Sequence, residues 1–569
     1  MLQKLILKFC FVFFLIYISN IFAQSEIEQS FLQKNITFTG SSNIYGELYN
    51  VSGITNRRPP STARLSLNPN LQIKNLLNIS ATILVSTEGT DTRQNMNILG
   101  LHPVWKWGKA HLGDFSDNLS KHSYSGVSIK GCEIDLFPSK IHFTLGGGRS
   151  REAVEGISVG ESYAQYAGFT RIGYGNSKNS FLDIIALKVK DDTKSLKKNE
   201  NWDYTYIIAD TMENIEDTIW VEPPYNPFSV TPQENLVLGM NSRINLFKRK
   251  LVLEFEGTGS AFTKDLNSDK IKNNNIEANE MLKNIYSDIF TPRVGSAYDF
   301  AVNSSIKLNL EKVNFSLGFR HIGPGYISLG TPSNINDREE LSFSSNMKLS
   351  IHRIRFGWNR MLNNLNNQKL QTNTRNQFNS SIYTALKKWR SQVNFRYLDM
   401  NNEADFDSLE WTYDNINFST HQSIVFQNSI LRQIGLQYVF QRTDKNTTTN
   451  DLESNYNTMN FTTGFRLKKT LNLNSSAGLS YRKNANRVGG WKQVYSLRLS
   501  HITLENKLTN AVFLTSNMVR ETKMFRVGLI SNYRLAEHYR ITANINFNRF
   551  NGQQVYKELR SSIMLSHQF

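Results

Sequence analysis

In the stretch YRITANINFN, Tyr539, Ile541, Ala543, Ile545 and Phe547 alternate with Arg540, Thr542, Asn544, Asn546 and Asn548. A period of two places the first set on one face of an extended strand and the second set on the other. One face is apolar and the other polar. The same alternation runs through VNFSLGFR (Val313–Arg320), LVLEFEG (Leu251–Gly257), LNLNSSAGLSYR (Leu471–Arg482) and the final SSIMLSHQF (Ser561–Phe569). About two dozen such segments follow one another with no helical period between them. A single one fits a half-buried strand of a soluble sandwich. The whole series needs apolar surroundings on the outside, because a hydrophobic content of 39% is low for filling several globular cores. The expected fold class is all-β, a single transmembrane antiparallel β-barrel of about 26 strands, range roughly 22 to 26.

The connections between these segments take turns in length. Short and often basic ones include Lys248–Lys250, Glu311–Lys312, His352–Arg353, Lys387–Lys388, Lys468–Lys469 and Glu537–His538. Longer polar ones cover 193–233, 263–294, 324–338, 400–410, 443–455 and 484–490. Short turns on one rim and long loops on the other is the asymmetry of outer-membrane barrels, the short side being periplasmic. An even strand number puts both termini on that side. The last strand is then expected to close against the first, near Asn35–Tyr49, because an open edge in lipid leaves backbone groups unpaired. Phe569 is expected in an aromatic girdle at the periplasmic rim, and Trp389 and Trp491 in the two interfacial belts.

The first residues, MLQKLILKFCFVFFLIYISNIFAQ, combine Lys4 and Lys8 with an apolar run from Phe9 to Ile18 and Ala23 before Gln24. That is the pattern of a secretory signal peptide. The expected organisation is a signal peptide at 1–23, a short periplasmic segment at 24–34 and the barrel at 35–569. The resulting localisation is the outer membrane. Cys132 is the one cysteine beyond the signal, which excludes a disulfide-stapled scaffold. It shares parity with Ile134 and Leu136 and is expected to face lipid.

The net charge is +17. Export argues against nucleic acid as the partner; basic turns near lipid headgroups and basic lumen positions such as Arg320, Arg355, Arg482 and Arg540 account for it. Against this background the loop from Asn199 to Asn235 holds eight carboxylates and no Lys or Arg, with Trp202, Tyr204, Tyr206, Trp220, Tyr225 and Phe228. Such a loop either folds into the mouth and pairs with basic wall residues, or stays solvated outside. In 263–294, Leu282, Ile285 and Ile289 lie at helical spacing. Gly146–Gly148 lacks the lysine of a phosphate loop and reads as strand glycines. Gly323–Thr331 reads as a turn. His142 has lumen parity and no Ser or carboxylate at a telling spacing, so a hydrogen-bonded wall histidine is expected. No catalytic, cofactor-binding or metal-ligating residue is assigned, no cofactor is expected, and the chain is expected not to be an enzyme.

The stretches NRRPPSTARLSLNP, HPVWKWGKAHLG, LKVKDDTKS, PQENLVLG and HIGPGYISLGTPSNINDREE, between Asn56 and Glu340, resemble an uncharacterised family of outer-membrane barrels from Bacteroidota. The resemblance implies fold and location and carries no activity. The expected function is a pore or transporter for polar solutes, constricted by 199–235. The alternative is a non-conducting scaffold or accessory for secretion or surface assembly; a barrel-wall hydrolase is a distant third. The expected partners are outer-membrane lipid and lipopolysaccharide, the barrel assembly machinery and, in the alternative, a secretion or surface protein.

Overall fold

The computed structural model describes residues 36–87, 97–154, 161–176, 179–196, 230–271, 289–333, 335–427, 429–448, 451–484, 487–520 and 522–569. They form one 26-stranded antiparallel sheet. Each strand pairs with its neighbours in the chain, and the first, Ile36–Ser52, pairs both with Ser61–Ile73 and with the last, Tyr556–Gln568. The sheet is therefore a closed barrel. The expected fold class holds, with the strand number at the top of its range.

The two faces separate as the alternation requires. Ile184, Leu317, Phe461, Leu497, Ile545 and Ile563 all stand on the outer face, 41 to 64% exposed. A band of this kind is unfavourable in water and satisfied by hydrocarbon. Cys132 is exposed on the same face as Ile134. Trp389 and Trp491 also point outward, one beside the short turn at 386–388 and the other at the opposite end of its strand.

At the short-turn rim the chain end is fixed in the closure. Gly40 and Phe569 exchange backbone hydrogen bonds of 2.7 and 3.1 Å. The Phe569 ring stacks on Phe38 with centroids 5.1 Å apart, and His567 stacks on Tyr539 at 4.1 Å. A Cβ at Gly40 would lie 2.8 Å from the Phe569 ring, so this position must stay bare for the aromatic rim to form.

Three expected connections differ. The segments 443–455 and 484–490 are largely strand: the ladder runs to Asn446↔Asp451 and to Asn484↔Arg487. Beyond the hydrocarbon neither face meets lipid, so a ladder can continue in polar sequence that reads as loop. The turn expected at His352–Arg353 sits two residues earlier, where Ser350 takes a φ of 53° before strand His352–Leu362. The signal peptide 1–23, the segment 24–34 and the helical spacing at 282–289 lie wholly or almost wholly outside the described residues.

Candidate functional site

The loop expected to narrow the mouth, 199–235, also lies largely outside the described residues. Two other segments from the long-loop rim turn into the barrel. The first follows strand Gly108–Phe115 and contains a small hairpin, Asn118–Ser120 with Tyr124–Ser125. The second is 323–337, between Val313–Ile322 and Arg338–Leu349.

The hairpin packs on an unusual part of the wall. On strands Gln165–Gly175, Phe181–Asp191 and Glu234–Leu246 the inner face carries Ala167, Phe169, Ile185, Leu187, Val189 and Val237, all buried. Tyr124 is fully buried against them and stacks on Phe169 with centroids 4.9 Å apart. Burying each such aromatic contributes about 2 kcal/mol. Its hydroxyl donates to the Val127 carbonyl at 3.0 Å, so no polar atom of the ring is stranded.

The second segment clamps the first. The Tyr326 hydroxyl and Thr331 Oγ1 both donate to the His122 carbonyl, at 2.8 and 3.1 Å. Ser328 Oγ donates to the Ser123 carbonyl at 2.7 Å, and the Ser125 amide donates to the Gly330 carbonyl at 2.9 Å. From the wall, the Glu256 carboxylate accepts the amides of Lys121 and His122 at 3.3 and 2.8 Å. Asn235 accepts the Leu329 amide and donates to the Ile327 carbonyl, both at 3.0 Å. The two segments are thus docked on one sector of the wall, backbone groups included. Burial lowers the proton affinity of His122; Lys121 and Arg320 reinforce that and Glu256 opposes it.

Charges in this sector come in compensated sets. Lys109 pairs with Asp117 at 2.9 Å, and Arg171 with Asp135 at 3.1 Å. Glu254 holds Arg243 and Lys307, and Glu340 holds Arg320 and Arg338. Burial would raise the Asp117 carboxyl, but hydrogen bonds with Glu133 and Lys109 outweigh it and hold it at about 2.

The opposite sector, from His352–Leu362 to Tyr539–Asn551, is different. Its inner face carries Asn, Gln, Ser and Thr on most strands, with Arg355, Arg375, Arg396, Arg482, Lys492, Arg498 and Arg526 among its cations. At its long-loop end Tyr413, Gln441, Thr443, Ser454, Tyr456 and Arg482 line a recess of about 410 Å³.

The expected lumen positions Arg320, Arg355, Arg482 and Arg540 all fall on the inner face. His142 does too, and its Nε2 lies 2.5 Å from the Gly175 carbonyl, as a wall histidine should. Gly146–Gly148 lie within strand Ile141–Arg151. Gly323–Thr331 does more than turn: it supplies the clamp. No cluster of three metal-ligating side chains occurs among the described residues. Sequence reasoning passed over 118–125, although DIIALKV (Asp183–Val189) carries apolar residues on both parities. A strand apolar on its lumen face must be covered from inside.

A closed sheet with an apolar outer band and a polar lumen defines a transmembrane β-barrel protein of the outer-membrane architecture. The chain is similar to one in the E. coli P pilus tip assembly intermediate PapC-PapD-PapK-PapG, with 10% identity and a TM-score of 0.43, over 94% of this chain and 60% of that one. It is also similar to the P pilus usher (PapC) translocation pore, with 8% identity and a TM-score of 0.26, over 93% and 99%. For Acinetobacter baumannii OccAB2 the identity is 10% and the TM-score 0.29, over 60% and 92%. No family model matches the chain, and no curated protein matches it.

Proposed function

We propose that this chain is an outer-membrane pore for polar solutes, exported by the signal peptide at 1–23, with its lumen narrowed on one side by 118–125 and 323–331. A barrel of this strand number leaves a wide lumen unless something fills it. The observation that carries the reading is the sector from His352 to Asn551. Its inner face is lined mainly by amides, hydroxyls and guanidinium groups, the surface of a wet passage. The covered sector, by contrast, is apolar where the hairpin lies. The pore so proposed is non-enzymatic. Purified full-length protein in a planar bilayer is expected to give stable ion conductance. Silence in the bilayer together with a co-purifying surface or secretion partner would favour the scaffold instead.

A further inference from the structure

We infer that the passage is selective for anions, and that the recess beside Arg482 admits a hydroxyl-bearing organic anion such as a sugar acid; this rests on the pore reading. The observation is the segregation of charge by face. Cross-strand partners share a face, so the ladders carry the inner face from strand to strand. Between strands His352–Leu362 and Tyr539–Asn551 the inner positions include Arg355, Arg375, Arg396, Arg482, Lys492, Arg498 and Arg526, and no Asp or Glu. Carboxylates are present on these strands. Asp399, Glu403, Asp414, Asp444, Asp451 and Glu453 all occupy outward positions, close to the long-loop rim.

Four of these inner cations are held by neutral acceptors. Arg375 and Arg396 both donate to Gln377 Oε1, at 2.7 and 3.1 Å. Arg482 donates to Asn484 Oδ1 at 3.1 Å, and Arg526 to Asn548 Oδ1 at 2.8 Å. An amide oxygen orients a guanidinium without cancelling its charge. The covered sector does the reverse, setting carboxylates against Lys109, Arg171, Arg243, Lys307, Arg320 and Arg338. The cations also span the wall from end to end. Arg375, Arg482 and Arg526 lie toward the long-loop rim, Arg396 and Arg498 near mid-strand, and Arg355 toward the short turns. An anion that leaves one meets the next, as multi-site conduction requires.

The recess gives the class of solute. Arg482 suits a carboxylate, which its planar donors bind in pairs. Gln441, Thr443 and Ser454 offer donors and acceptors to hydroxyls, and Tyr413 and Tyr456 offer ring faces.

The test uses full-length protein in planar bilayers and liposomes. In a potassium chloride gradient the reversal potential is expected on the chloride side. It should move toward zero in the triple variant Arg375→Gln, Arg396→Gln, Arg482→Gln, with conductance retained as evidence of a folded barrel. The matching Arg→Lys triple should keep the selectivity. Selectivity should weaken from 0.1 to 1 M salt, because the screening length falls from about 10 to about 3 Å. Glucuronate should enter liposomes faster than glucose, and Arg482→Gln alone should remove that advantage. Conduction with equal or cationic preference would overturn the anion path and leave the pore standing. Glucuronate entering no faster than glucose would overturn the recess assignment. Absence of conductance would overturn the pore reading itself.

Discussion

At the scale of residues, the docked hairpin depends on a bare position and a neutral one. A Cβ at Gly330 would lie 2.4 Å from the Ser123 carbonyl oxygen and 2.5 Å from the Leu187 side chain. Neither neighbour can withdraw, since Ser123 is clamped by Ser328 and Leu187 is fully buried. Gly330→Val should therefore undock 118–125, at about 1–3 kcal/mol of overpacking, and raise the bilayer conductance. Unchanged conductance would mean that the hairpin does not bound the passage. His122 adds a pH dependence to the same contact. Its proton affinity is lowered in the docked state, so the undocked state binds more protons. Docking is then fully retained above the ordinary histidine value of about 6.5 and lost progressively as pH falls below it. Conductance should rise on acidification through that window, and His122→Gln should flatten the profile. Burial of His122 sets the sign; the Glu256 carboxylate opposes it, and Arg320 and Lys121 reinforce it.

At the scale of elements, the period of two decides which face a side chain meets, and the faces differ in what they tolerate. In strand Asp451–Lys468, Phe461 points outward and Thr462 inward. Phe461→Arg should cost roughly 2–4 kcal/mol if it lies near the bilayer midplane, while Thr462→Arg should cost little. Urea titration of the folded fraction in lipid vesicles reads both, and equal costs would contradict the assigned faces. This periodicity is also why so much was legible in the sequence. Parity alone placed Arg320, Arg355, Arg482, Arg540 and His142 inside and Cys132 outside, because a strand has only two faces. It failed where the contrast between faces fades, as at 443–455, where Asn, Thr and Asp pair in a ladder above the lipid. It was silent on the site itself. The hydrogen bond from Tyr326 to His122 joins positions 204 apart, and no local spacing encodes such a meeting. The one available clue was Ile185, Leu187 and Val189, a lumen face too apolar to be left wet.

At the scale of the whole molecule, closure of the sheet makes the division of labour possible. One sector is filled by its own inward segments and internally neutralised, the other is left polar and basic, and a single ring of ladders holds the two apart. The ring depends on the pairing of Ile36–Ser52 with Tyr556–Gln568, whose register sets the alternation on both sides of the junction. A slip of one residue there would put Glu47 and Arg560, which form an ion pair across the junction at 2.6 Å, on opposite faces and turn one of the two charges toward lipid. The register can be tested on the wet side of the wall, where Asn43 lies directly opposite Ser566 and both point inward. Cysteines at directly opposed positions are within disulfide reach, whereas a partner two residues along the strand is not. Asn43→Cys with Ser566→Cys, in a Cys132→Ser background, should cross-link under mild oxidation and shift the mobility of the denatured chain by closing it into a loop. Asn43→Cys with Met564→Cys should remain open. If the second pair closes and the first does not, the junction is displaced by two residues; if neither closes, the ends do not meet as described, and a continuous wall dividing the two sectors could not form.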